Sequence, residues 1–110
     1  MPVDFLIDGI DLKDWSGMLK EIWDYETKEY HLTIVNNTPY YISEIMPEVD
    51  PRYVTVTGDA GVIKPGGDSF VILTANGKAM YEDRKSAIPL TFKYTSSVSK
   101  RILTGKDMNK

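Results

Sequence analysis

The sequence predicts an all-β domain of about seven strands, and three observations lead to that prediction. Several short runs of residues alternate between apolar and polar side chains, which is the pattern of strands buried on one face. Proline, glycine and asparagine cluster between these runs, as they do in turns that connect antiparallel strands. The chain has 110 residues, of which 42% are hydrophobic and 26% charged, and these values are typical of one globular domain.

The N-terminal part is expected to begin with a strand over residues 3–7 and to continue as a short helix. Apolar side chains then recur at intervals of three and four residues, with Asp11 in the position of an N-cap. These side chains are Leu12, Trp15, Met18, Leu19, Ile22 and Trp23. Because Gly17 weakens such a helix by about 1 kcal/mol, a strand over residues 19–26 is the alternative. For residues 11–26 the sequence therefore does not decide between helix and strand.

Three strands are predicted in the next part of the chain. They cover residues 29–35, 40–45 and 53–57. In the first of them the side chains alternate, so His31 and Thr33 are expected on the face away from the core. The sequence Asn36-Asn37-Thr38-Pro39 ends that strand, because asparagine tolerates turn geometry and proline disfavours helix in the residue before it.

The second half of the chain contains a strong turn signal and three more predicted strands. Pro65-Gly66-Gly67-Asp68 is the turn, since proline presets φ at the first corner and glycine accepts a positive φ at the next. Pro89 cannot donate a hydrogen bond to a sheet, so it should lie near a strand start or at an edge. Asn76-Gly77 is predicted as a turn, and residues 78–86 as a loop with an irregular crossover. The strands are expected at residues 69–75, 87–95 and 97–103.

One domain is expected over residues 1–104, with residues 1–28 as its N-terminal strand and helix or extension, and residues 105–110 as a flexible tail. The N-terminus has no signal-peptide pattern, and no run approaches the ~20 apolar residues that span a bilayer. The chain has no cysteine, which fits a reducing compartment. A cytoplasmic location, or a virion assembled in the cytoplasm, is therefore predicted, and no membrane partner.

Charge is unevenly divided along the chain. Residues 1–50 hold 11 acidic and 3 basic side chains, a net charge of −8, whereas residues 51–110 hold 5 acidic and 10 basic side chains, a net charge of +5. Such asymmetry can support head-to-tail association between copies of the chain. The alternative is that strands from the two halves interleave and mix the charges.

Residues from about 29 to 97 resemble a group of immunoglobulin-like modules that includes the ASH/MSP-like domains and related bacterial and viral repeats. The pieces that carry the resemblance, in order and spacing, are the strand and asparagine turn at residues 32–38, the strand at 41–45, and the turn at 63–68 that leads into residues 70–73. The resemblance implies an immunoglobulin-like β-sandwich of about seven strands, used for protein contacts or as a spacer, without catalytic residues.

A shorter stretch, residues 5–15, is similar to the opening of some phage tail and virion structural proteins. Those proteins often begin with an isoleucine, an aspartate-glycine turn and a second hydrophobic strand. Here Ile7 precedes Asp8-Gly9, and Ile10 and Leu12 follow the turn. This similarity implies a structural component of a virus particle.

The sequence does not contain the usual residues of catalytic or metal sites. It has no cysteine and one histidine, His31, which is expected on the polar side of a strand, so neither a nucleophile–base pair nor a zinc site is indicated. Asp8, Asp11 and Asp14 lack the spacing of a calcium loop. The basic C-terminal segment, residues 100–110, has no aromatic residue among its charges, so no nucleic-acid partner is indicated. The prediction is a non-enzyme without cofactor or metal.

Aromatic residues make up 11% of the chain, more than a small sandwich needs to bury, and exposed aromatics are enriched at interfaces. The predicted function is a non-catalytic structural or protein-interaction module in a larger assembly such as a phage or virus particle. Its expected partners are proteins, including other copies of the chain. The alternative is a β-sandwich that binds carbohydrate or another small ligand through the same aromatics. The candidate contact residues are Trp15, Met18, Leu19, Trp23, Tyr40 and Tyr41.

Overall fold

The computed structural model describes residues 2–15, 27–85 and 87–98, and this part of the chain is mostly β, with two sheets. The predicted all-β class is therefore confirmed. The strands predicted in residues 3–57 and at residues 69–75 all coincide with observed strands, because alternation of apolar side chains is a local signal. The elements in chain order are β1 (Val3–Ile7), β2 (Ile10–Asp11), α1 (Leu12–Trp15), β3 (Thr27–Asn36), β4 (Tyr41–Glu48), β5 (Val54–Thr57), β6 (Asp68–Asn76), α2 (Gly77–Glu82) and β7 (Thr91–Ser97).

Five strands form one antiparallel sheet in the order β2-β1-β3-β6-β5, and β4 pairs with β7 in a second antiparallel sheet. In the large sheet Leu32 of β3 lies opposite Val71 of β6, and both side chains are buried. Each sheet thus contains strands from both halves of the chain. The strands of the two halves interleave, as the alternative predicted, but this does not by itself mix the charges, so surface charge has to be assigned face by face.

The core lies between the two sheets. Phe5 of β1 stacks on Phe92 of β7 with ring centroids 4.8 Å apart and ring planes 9° from parallel, so the sheets face each other at this point. Burial of each large apolar side chain contributes roughly 1.5–3 kcal/mol, most of which the loss of chain entropy offsets. The fully buried apolar side chains include Ile7, Leu32, Ile34, Ile42, Val54, Leu73 and Met80.

Asn36 joins the end of β3 to the turn that precedes β6, and its side chain is completely buried. Nδ2 donates to the carbonyl oxygens of Tyr40, Ile63 and Lys64 at 2.7, 3.0 and 3.1 Å. Oδ1 accepts from the backbone N–H and the hydroxyl of Thr38 at 3.0 and 2.6 Å. An amide is needed because only Asn and Gln side chains donate and accept in this way. A residue predicted for its turn geometry is therefore also a polar part of the core.

The prediction of a loop over residues 78–86 was wrong, because α2 occupies the first part of this segment. Asn76 caps this helix, and its Oδ1 accepts from the N–H of Ala79 at 3.1 Å. Met80 is completely buried. The dipeptide Asn76-Gly77 suits a hairpin turn and a helix start alike. Packing of Met80 into the core decides between them, since a helix this short is stable only through tertiary contacts.

The strand predicted over residues 87–95 also needs correction, because β7 begins at Thr91. Pro89 has no N–H to donate, so it lies before the strand start, as expected. Ile88 is nevertheless 2% exposed and belongs to the core. The strand predicted over residues 97–103 extends beyond the described residues, as does the predicted tail at 105–110, and both stay predictions.

The beginning of the predicted N-terminal helix is present as α1. The N–H of Lys13 donates to Oδ1 of Asp11 at 3.0 Å, so Asp11 is the cap that the sequence predicts. Leu12 is buried and joins the core. Residues 16–26 lie outside the described residues, so the choice between helix and strand for most of residues 11–26 stays a prediction. In the described part of the chain, neither helix has the length and apolar character needed to cross a bilayer.

Candidate interaction surface

The side of the five-stranded sheet that faces away from the core carries an apolar and aromatic band. Strand alternation explains its position: Leu32 and Val71 point inward, so their chain neighbours His31 and Phe70 point outward. We call this side the outer sheet face. It comprises the ring and aliphatic side chains of Leu6, His31, Val35, Phe70 and Ile72 and the carboxylates of Asp4, Asp11, Glu29 and Asp68.

Phe70 lies on the outer sheet face near the start of β6, which is one strand in from the β5 edge. It is 52% exposed, and its ring stacks on His31 with centroids 4.3 Å apart and planes 21° from parallel. Ile72 lies opposite His31 in the register and Thr33 lies opposite Phe70, and both are half-buried. Each 1 Å² of apolar surface left in water costs about 25 cal/mol. A partner that covers an exposed apolar band removes this cost, so such a band on a regular sheet is typical of a contact surface.

The outer sheet face is acidic. Asp4, Asp11, Glu29 and Asp68 occupy its positions on β1, β2, β3 and β6. Among the outward positions of the five described strands of this sheet, none is lysine or arginine. A partner that covers the face therefore gains by presenting cations, and an anionic partner is repelled.

A hydrogen-bonded group of three side chains lies elsewhere, at the C-terminal end of α2. Arg52 donates from Nε and Nη2 to the carboxylate of Asp83 at 2.6 and 3.2 Å, and the hydroxyl of Tyr53 donates to Oδ2 of Asp83 at 2.6 Å. The hydrogen bond from Arg52, then that from Tyr53, lowers the pKa of Asp83 to about 2. The bond to Asp83 raises the pKa of Tyr53. Asp83 therefore stays ionised at neutral pH and its bonds hold α2 to the start of β5.

The surface around α2 is cationic and partly aromatic. Because Arg52 and Asp83 form an ion pair, their charges offset each other. The other charged side chains of α2 and the turn after it are three cations and the carboxylate of Glu82. Tyr81 is 51% exposed among them. Lys85 also lines a depression of about 350 Å³ together with the acidic residues Glu48 and Asp50. We call this surface, made of Lys78, Tyr81, Arg84 and Lys85, the α2 corner.

The contact residues predicted from the sequence are only partly described. Trp15 ends α1, and Met18, Leu19 and Trp23 lie outside the described residues. Tyr40 is 44% exposed in the turn before β4. Tyr41 begins β4 and is half-buried, and it lines an open depression of about 560 Å³ with Val62, Ile63, Lys64, Gly67 and Asp68. Tyr40 and Tyr41 thus lie side by side at the start of β4.

The outer sheet face was not among the sequence predictions. Residues 69–75 are nearly continuous in apolar side chains, and this pattern predicts a buried strand. The pattern therefore did not indicate that Phe70 points outward. The sequence did contain a signal for the outward position of Phe70. Side chains alternate along a strand, so if Val71 and Leu73 point inward, Phe70 and Ile72 point outward. The pairing with His31 depends on the register of β3 with β6, which no local pattern contains.

The described residues contain no group of three or more histidine, aspartate or glutamate side chains that could hold a metal ion. No family model, no curated protein and no solved structure matches this chain. Its function is therefore inferred from its own surface.

Proposed function

We propose that this protein is a non-catalytic structural or protein-interaction module that works as a component of a larger assembly. One observation carries the proposal: Phe70 is 52% exposed and stacked on His31 on the outward side of a regular antiparallel sheet. Aromatic rings that water surrounds on a flat, rigid surface are typical of protein contacts. A phage or virus particle is the most concrete setting, on the similarity of residues 5–15 to virion proteins.

The proposed architecture is an immunoglobulin-like β-sandwich. The strand order β1-β3-β6-β5 in one sheet and β4-β7 in the other supports it, because constant-type immunoglobulin domains pair strands A-B-E-D and C-F-G in that chain order. The stacked rings of Phe5 and Phe92 across the two sheets are a further support. In this proposed architecture, the last strand of the immunoglobulin-like domain would be the strand that the sequence predicts over residues 97–103.

The chemistry of the described side chains favours a non-catalytic role. A general base at neutral pH needs a pKa near 7, whereas the pKa of Asp83 is about 2 and its carboxylate is engaged by Arg52 and Tyr53. His31 is exposed on an open sheet face, where water is not excluded from the imidazole. Both groups are better suited to structure and contact than to turnover.

Site-specific photo-crosslinking tests the proposal. A photo-reactive amino acid replaces Phe70 in one sample and Thr95, which is exposed on the second sheet, in the matched control. We expect an adduct with one protein species at position 70 in the producing cell, whether another copy or a different protein. Mass spectrometry identifies that species, and reconstitution from purified components verifies it. Equal adduct patterns at both positions, or no adduct at either, would contradict the proposal.

The depression beside Tyr41 favours carbohydrate binding as a second candidate function. Its lining includes Tyr41, Lys64 and Asp68, and sugars are bound by such mixtures of aromatic and polar residues. A glycan array probed with the wild type, Tyr41→Ser and the control Tyr81→Ser tests this. Binding that Tyr41→Ser alone abolishes supports the candidate, and no response from any sugar class removes it.

A further inference from the structure

We infer that the outer sheet face binds the α2 corner of a second copy of this chain, so that copies associate head to tail. The inference rests on the proposed function, because it names the partner of that contact surface. It is carried by the opposite charge of the two surfaces and by an exposed aromatic side chain at each.

The charge of the outer sheet face restricts what can cover it. The carboxylates of Asp4, Asp11, Glu29 and Asp68 lie on the same face as the His31–Phe70 stack, and no lysine or arginine occupies the outward positions of the described strands. Nucleic acids and anionic lipid surfaces are therefore repelled. Two outer sheet faces repel each other as well, so a symmetric dimer through this face is disfavoured. A cationic protein surface with some apolar area is the complement.

The α2 corner has these properties on the same chain. Lys78, Arg84 and Lys85 are exposed, and Tyr81 among them is 51% exposed. The ion pair between Arg52 and Asp83 adds no net charge to this surface, and Glu82 contributes one carboxylate beside the three cations. Asp83 also fixes the end of α2 through Tyr53, so the corner is a rigid surface.

The two surfaces belong to different parts of the fold, so one copy can use both at once. The outer sheet face is the side of the large sheet away from the core, whereas α2 follows β6 at the end of that sheet. A contact between two unlike surfaces is heterologous, and it continues into a ring or a filament. Such growth fits a component of a larger assembly.

Sedimentation of two variants and their mixture tests the inference. Phe70→Thr impairs the outer sheet face and Lys78→Glu impairs the α2 corner, and both sites are exposed. We expect the wild type to associate with rising concentration, less so as salt rises from about 0.05 to 0.5 M. Each variant alone should weaken association roughly tenfold or more. The equimolar mixture should form a discrete 1:1 dimer, because each variant keeps one intact surface.

Controls separate the inference from the proposed function. Met46→Thr, on the exposed side of the second sheet, should associate like the wild type. If Phe70→Thr fails to fold, as judged by circular dichroism, Asp68→Lys replaces it as the outer-face variant. A wild type that stays monomeric at millimolar concentration overturns head-to-tail pairing, as does a mixture that gives no dimer. The proposed function would still stand if position 70 then cross-links to a different protein.

Discussion

Tyr53 donates its hydroxyl hydrogen to Oδ2 of Asp83 over 2.6 Å, which links the residue before β5 to the C-cap of α2. Arg52 donates to the same oxygen over 2.6 Å. The N–H of Asn76 donates to the carbonyl oxygen of Tyr53 at 2.7 Å, so the other end of α2 is held to the same residue. The orientation of α2 relative to the large sheet therefore depends on this small set of bonds.

Asp83 should give the protein an acid-sensitive stability. Its pKa is about 2 in the folded chain and 3.8 without these bonds, so its contribution is present above about pH 4 and is lost as the pH falls toward 2. Thermal unfolding monitored between these pH values should show a steeper loss for the wild type than for Asp83→Asn. Glu82→Gln leaves the pair with Arg52 in place and should keep the wild-type slope; equal slopes in all three proteins would contradict the assignment.

Replacement of Asn36 should be among the most destabilising single changes in the turn region. Asn36→Ala leaves the carbonyl oxygens of Tyr40, Ile63 and Lys64 without their side-chain donor, and the free energy of unfolding should fall by about 2–4 kcal/mol. Urea unfolding measures this. Asn37→Ala is the matched control, since Asn37 is exposed, and a loss under about 1 kcal/mol is expected. Equal losses for both variants would mean that the bonds of Asn36 contribute little.

The ring pair Phe5–Phe92 should couple the two sheets energetically. A double-mutant cycle with Phe5→Leu and Phe92→Leu is expected to give a coupling of about 0.5–1.5 kcal/mol, the range for stacked aromatic pairs. Phe70→Leu, on the opposite side of the large sheet, combined with Phe92→Leu provides the control and should give additive effects. Additivity in the first cycle would contradict an energetic coupling between the two rings.

Glu44 should tolerate glycine better than its neighbours in β4 do. The register between β4 and β7 shifts between Ser43 and Met46, and Glu44 lies in this bulge with a φ of 52°, a value that costs a residue with a Cβ about 1–2 kcal/mol. Glu44→Gly should therefore leave the free energy of unfolding unchanged or raise it by up to about 1 kcal/mol. Met46→Gly should lower it by about 1 kcal/mol. The same sign for both variants would contradict the strained backbone at Glu44.

The position of α2 shows why one part of the fold could not be predicted locally. Asn76-Gly77 is compatible with a turn and with a helix start, and the six-residue α2 has no long apolar period of its own. Burial of Met80 makes the helix favourable, and that burial exists only once the sheets are assembled. The same holds for the outer sheet face, whose aromatic pair joins residues 31 and 70 through strand register.

The sequence by itself determined the all-β class and the inward side chains of β3, such as Leu32 and Ile34, because period-two alternation and turn residues act on neighbours in the chain. It also determined the cap at Asp11, for the same local reason. Tertiary structure alone decided that His31 meets Phe70, that Asn36 is a core residue, and that Arg52 and Tyr53 bind Asp83. These contacts join residues far apart in the chain. They form only when burial of the whole core offsets the loss of chain entropy on bringing those residues together.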